Sequence, residues 1–168
     1  MSTTTASYRS LLLRANRLLG TSLVQHNLVN IEHLEAANER LFEVLKTGIT
    51  RQAGLLTILL DEMRSIDEMK LIKMAIREHG LGMIDLRDHS IHEECRPLIE
   101  PELAWSTWTV PFDREENFHF VATSYYLSQA VRDYWEERLG GIVVWYATTV
   151  ESITSAVDRV VQEAELLR

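Results

Sequence analysis

The densest group of chemically capable side chains in this 168-residue chain is Asp85, Asp88, His89, His92, Glu93 and Cys95. Imidazole, carboxylate and thiolate within one short stretch are zinc ligands by type. His89-x-x-His92 lacks a second ligand pair, however, and Ser90-Ile-His-Glu93 already reads as a capping box that opens a short helix. The stretch is therefore expected to be a polar loop and helix start, with no metal and no cofactor. Cys95 beside Arg96 has the setting of an activated thiol. No His-plus-acid arrangement with nucleophile spacing accompanies it. A metal-dependent enzyme on His89, His92 and Cys95 is the weakest reading, and the chain is expected not to be an enzyme.

The second chemical feature is a charge asymmetry. No acidic residue occurs from Met1 to Ile31, whereas Arg9, Arg14 and Arg17 do, so that segment carries +3 and the remainder -11. A basic helix on an acidic body can meet an anionic ligand or a partner's acidic face; it can equally be a solvated helix face. The formal net charge of -8 and pI of about 5.2 argue against wrapping nucleic acid. A single cysteine cannot form an intrachain disulfide, so the core must hold the fold. The most apolar stretches, Leu55–Leu60 and Gly141–Ala147, fall far short of the roughly 18 residues that span a bilayer. The N-terminus lacks the apolar core of a signal peptide. A cytoplasmic location is expected.

The elements that would position these residues are helices first. Residues 1–7 read as a disordered tail, with Ser7 able to cap a helix whose stripe is Tyr8, Leu11, Leu12, Ala15, Leu18 and Leu19. Gly20 either interrupts that helix or lets another segment pack close, and Asn27 suits a left-handed helix end. Asn30 then caps a helix with Ile31, Leu34, Ala37, Leu41, Val44 and Leu45 inward, ended by Gly48. A third apolar segment runs from Leu55 to Met63. Ser65-Ile-Asp-Glu68 reads as a capping box for a helix ended by Gly80. The recurrence of a short apolar helix followed by a longer amphipathic one suggests a degenerate duplication of residues 18–45 in 55–80.

After Gly80 the hydrophobic period changes. Gly82–Leu86 is strand-like, Pro97 limits a short helix, and Pro101 suits the first turn of another. Thr107–Phe112 and Phe118–Ala122 predict a hairpin with a longer loop over Asp113–Asn117, and Pro111 demands an edge or strand end. A helix follows over 127–139. Ile142–Tyr146 is expected to be the most buried strand, and a last helix starts near Thr149. The fold class is α+β: a helical subdomain of short helix pairs over 8–80, then a small αββαβα subdomain over 81–168 with a three- to four-stranded sheet.

This order resembles the N-terminal domain of type II secretion and type IV pilus assembly ATPases. That family carries a repeated Arg-Leu-Gly-x-x-Leu-Val-x-x-Gly-x-Ile motif running into Leu-x-x-x-Leu-x-x-Gln. Here the first copy is Leu18-Leu-Gly-Thr-Ser-Leu-Val-Gln-His-Asn-Leu-Val29, then Leu34, Asn38 and Leu41. The family's Gly-Leu-Pro-x-Val-Asp-Leu, Pro-Glu-x-Leu-Ala and Val-Leu-Pro-Leu segments are matched by Gly80–Leu86, Pro101–Ala104 and Trp108–Phe112. The resemblance spans about Leu18 to Val161. It implies a cytoplasmic, non-catalytic regulatory or docking module. Its implied partner is a protein, such as the cytoplasmic part of an inner-membrane component.

In one branch the duplicated motif binds cyclic diguanylate through arginines and closely approaching glycine backbone. Leu18 stands here at the motif's arginine, with Arg17 one step early. Asn27 replaces its second glycine, and Leu41 its glutamine, with Arg40 adjacent. The partner surface is expected on the N-terminal helices near Arg14, Arg17, Asn27 and Arg40, and cyclic diguanylate, the alternative ligand, is expected at Arg14, Arg17, Gly20 and Arg40. No Gly-x-x-x-x-Gly-Lys-Ser/Thr phosphate loop occurs, so nucleotide hydrolysis is not expected.

Overall fold

The structure, a computed structural model, describes residues 2–167, with side chains from residue 8. The tail expected over 1–7 and the Ser7 cap fall outside the residues whose side chains are described. Helix α1 (Ser2–Gln25) is followed by α2 (Ile31–Lys46), α3 (Leu55–Thr57) with a π turn over Ile58–Glu62, and α4 (Glu68–His79). Then come β1 (Gly82–Met83), two 3₁₀ turns (Leu86–Asp88 and Glu93–Leu98), α5 (Pro101–Thr107), β2 (Thr109–Glu115), β3 (Phe118–Thr123), α6 (Gln129–Leu139), β4 (Ile142–Ala147) and α7 (Val150–Leu166). The class is α+β, with one mixed sheet in the order β1-β4-β3-β2. β2 and β3 form an antiparallel hairpin, and β4 runs parallel to both β3 and β1.

Several local signals act as their chemistry dictates. Asn27 ends α1 with φ of 58°, and the Asn30 side chain accepts the His33 amide at 2.8 Å to cap α2. Gly80 and Gly140 close α4 and α6 in the left-handed region. Pro101 sits in the first turn of α5, and Pro111 lies on the edge strand β2. Neither expected capping box forms. Asp67 caps α4 instead, accepting the amides of Met69 and Lys70, while Glu68 accepts the Val150 amide of α7 at 2.9 Å. In the second case the His92 ring accepts from the Glu94 amide. In both, a residue other than the serine reaches the first-turn amides.

Gly20 does not interrupt α1. A Cβ there would lie 2.8 Å from Leu34 Cδ1 and 3.1 Å from Leu55 Cδ2, so its role is close approach of α2 and α3. α1 itself seats on α5 and α6. Ser128 Oγ donates to the Ala15 carbonyl and Ser22 Oγ to that of Leu127. At the centre, the buried Asn16 side-chain oxygen Oδ1 accepts from the Leu55 amide at 2.9 Å and from the Tyr125 hydroxyl at 2.7 Å. Trp105, Trp108, Trp135 and Trp145 are all buried as core fillers, and Trp105 and Trp108 pack at 5.2 Å.

The sheet differs from expectation in two places. β2 continues through Asp113, Arg114 and Glu115, leaving only Glu116 and Asn117 in the turn. Charged residues are at home there because the strand is a sheet edge. β4 is interior in strand order but is not the most buried strand. Ile142 is 51% exposed and Val143, Val144 and Tyr146 are half-buried. One half of a sheet face lacks a covering helix.

Asn16→Ala removes an acceptor from two buried donors, each costing about 1–3 kcal/mol when left unpaired. Urea unfolding should show a loss of about 3 kcal/mol, whereas Tyr125→Phe should lose about 1 kcal/mol. Equal losses would show that the Leu55 amide does not depend on Asn16.

Candidate functional site

The residues implied by the family motif do not converge on one cluster. Arg14 and Arg17 are exposed on α1, while Gly20 is buried beneath α2 and α3. Asn27 is exposed at the turn after α1. Arg40 is held by Glu62 at 2.9 Å, with Glu43 at 3.4 Å, so its guanidinium is already paired. These positions share the N-terminal helices, and Asn27 lines a cleft.

That cleft, of about 380 Å³, lies between two chain reversals and is lined by Asn27, Leu28, Arg64, Ser65, Ile66, Asp67 and Lys70. The reversals repeat one geometry. Asn27 and Arg64 both have positive φ, at 58° and 49°. Three residues later in each case a polar side chain, Asn30 or Asp67, caps the next helix. Arg64 and Lys70 bring positive charge, and the buried Ser65 Oγ has no partner among the described residues. Sequence reading passed over Arg64 because no glycine marks its turn. The repeated offset from left-handed residue to helix cap was the available signal.

The second surface lies on the sheet. Residues alternate between the two faces of a strand. The register places Phe118 beside Ile142, Phe120 beside Val144, and Ala122 beside Tyr146. α6 covers the opposite face, where Trp145 donates to Glu136. On this face Phe118 is 41% and Ile142 51% exposed. A register shift between Pro111 and Asp113 inserts one extra residue in β2, so Phe112 and Asp113 both oppose Phe120. Glu115 pairs with Phe118. Directly paired residues share a face, so Asp113 and Glu115 flank the exposed aromatic rings.

At one end of this face a cleft of about 470 Å³ is floored by Phe112, Phe120 and Tyr146 and rimmed by Asp85, Asp88, His89 and Asp113. Phe112 meets Tyr146 edge-on at 5.4 Å. Hydrogen bonds from the Arg87 side chain, then from its amide, hold Asp85 down at about 2, so it stays ionised. Sequence reading missed this surface because it ended the strand at Phe112.

The stretch from Asp85 to Cys95 shows no metal-ligand geometry. Among the described residues no three His, Cys, Asp or Glu side chains converge. Cys95 is buried, and burial, followed by Asp113 and Glu94, pushes its thiol up to about 11. That is the reverse of activation. His119 is also buried, and burial, followed by the Arg114 charge, lowers its pKa. Among the described residues no helix is long and apolar enough to cross a membrane.

Neither a protein-family model nor a curated relative matches the sequence. Solved structures do. MshE, solved with cdg (cyclic diguanylate), matches with a TM-score of 0.52 at 19% identity, over 84% of this chain and 96% of that one. The N-terminal domain of XpsE matches with a TM-score of 0.52 at 14% identity, over 85% and 93%. Both are secretion or pilus ATPase N-terminal domains, and this chain shares their fold.

A thiol at about 11 is protonated throughout the neutral range. Alkylation of Cys95 by iodoacetamide at pH 8 should therefore run roughly 100-fold slower in the folded protein than in urea. Equal rates in the two states would show that Cys95 is open to solvent.

Proposed function

We propose that this chain, which has the fold of secretion and pilus ATPase N-terminal domains, serves as a non-catalytic docking module. The observation that carries the reading is the uncovered apolar half-face of the sheet. Phe118, Phe120, Ile142 and Val144 form one contiguous strip by register and are exposed or half-buried. A protein rarely leaves such a strip to water unless a partner covers it. The resemblance supports a protein partner, such as the cytoplasmic part of an inner-membrane component, and a cytoplasmic setting. The duplicated helical segment over 8–80 would then frame the α+β unit over 81–168.

A photo-crosslinker placed at Phe118 in the native host should give one defined adduct. The double variant Phe118→Asp/Ile142→Asp should remove that partner when the crosslinker is moved to Val144. A crosslinker at the remote Gln25 should not capture it. Adducts of the same pattern from Phe118 and Gln25 would sink the reading.

The second reading is cyclic-diguanylate sensing through Arg14, Arg17, Gly20 and Arg40. Two observations favour it: MshE was solved with cdg, and the positively charged cleft between the two left-handed turns has Asn27 in its lining. Arg40 would have to leave Glu62 to join such a site. Calorimetry with the dinucleotide separates the readings. Heat that disappears in Arg17→Ala and Arg64→Ala supports sensing, and no heat at high micromolar concentration rejects it.

A further inference from the structure

The uncovered half-face has a definite charge as well as a definite apolarity. Asp113 and Glu115 run along its β2 side, and Asp88 stands, beside the Arg87-paired Asp85, at the end where β1 leaves the sheet. The basic groups nearby are already engaged. Arg87 pairs with Asp85 and Glu151, and Arg114, on the opposite face, pairs with Glu94. The surface therefore presents aromatic and branched apolar side chains bordered by carboxylates. A cleft floored by Phe112, Phe120 and Tyr146 is open at the acidic end.

We infer that this half-face receives an amphipathic helix whose apolar stripe is flanked by lysine or arginine, with one cationic side chain entering the cleft over the Phe112–Phe120–Tyr146 floor. The inference rests on the docking reading and adds the chemistry of the partner. Charge complementarity selects the flanks: carboxylates on two sides favour cations and penalise an acidic segment. The aromatic floor selects the anchor, because a cation above an aromatic face is attracted by the ring quadrupole. Length selects a helix. The three paired rows, from Phe118–Ile142 to Ala122–Tyr146, extend about 14 Å along the strands. That equals two to three helical turns, enough for positions i, i+4 and i+7 to meet successive rows.

The test uses the full chain and three 18-residue helical peptides with one Leu/Phe stripe, flanked by Lys, Gln or Glu. Binding is read by fluorescence anisotropy at low and moderate salt. The Lys-flanked peptide is expected to bind about tenfold tighter than the Gln-flanked one, and the Glu-flanked one not at all. Asp113→Lys/Glu115→Lys, checked by circular dichroism and melting, should erase that preference. Asp88→Lys alone should erase some of it and serves if the double variant does not fold. Glu39→Lys, remote from the face, should change nothing. Phe118→Asp/Ile142→Asp should abolish binding of every peptide.

If the Gln- and Lys-flanked peptides bind equally and Phe118→Asp/Ile142→Asp removes both, the cationic partner is overturned while docking on the face stands. If binding occurs but is indifferent to Phe118→Asp/Ile142→Asp, or if no peptide binds, the face is not the dock and the inference falls with it.

Discussion

The side-chain oxygen of Asn16 is the point on which the molecule depends. It lies on the buried face of α1, and its two hydrogen bonds join segments that are distant in sequence. One bond comes from the Leu55 amide at the start of the third helical segment. The other comes from Tyr125, just after the β2–β3 hairpin. The Tyr125 oxygen in turn accepts the Leu56 amide, and the Trp108 indole donates to the Ala53 carbonyl. In a region with no access to water each of these groups must be paired within the protein. The node therefore fixes the helical segments against the sheet in one arrangement.

Close packing around that node follows. A Cβ on Gly54 would lie 2.6 Å from Trp108 Nε1 and 2.7 Å from the Tyr125 hydroxyl, so the aromatic pair can press onto the backbone only at glycine. Gly20 does the same a layer away, beneath Leu34 and Leu55. What the family motif presents as a ligand-contacting glycine is occupied here by helix packing. The same is true of Arg40, whose charge is matched by Glu62. The positive charge in the cleft between the repeated turns comes instead from Arg64 and Lys70.

The surface left over by this packing is the region with functional consequence. α1, α5 and α6 are drawn to one side of the molecule, and α6 covers one sheet face. α7 reaches the other face but packs on β2 and the 3₁₀ turn at Leu86, where Ser152 accepts the Leu86 amide and Arg159 donates to the Leu86 carbonyl. The ends of β3 and β4 around Phe118 and Ile142 remain outside its reach. The bulge in β2 turns an aromatic ring and a carboxylate to the same side at that place. Apolar strip, acidic border and cleft thus arise together from one inserted residue and the position of one helix.

The amino-acid sequence by itself determined most of what is local. Asn27, Asn30, Gly80 and Pro101 set helix ends through their own backbone and side-chain chemistry, and Pro111 placed β2 at an edge because it lacks an amide hydrogen. The α+β class and the order of elements followed from hydrophobic period. Tertiary structure decided what depends on partners far along the chain. Ser65 and Ser90 had neighbours suited to capping boxes, yet Asp67 and His92 took the caps, and Glu68 turned to α7. Asn16 could have been recognised from its place between Leu12 and Leu19 on the buried stripe, but its partners could not. The open half-face was invisible because Ile142–Tyr146 is apolar on both sides of the strand. Hydrophobicity states that such residues prefer burial; only the arrangement of α6 and α7 decides which of them obtain it.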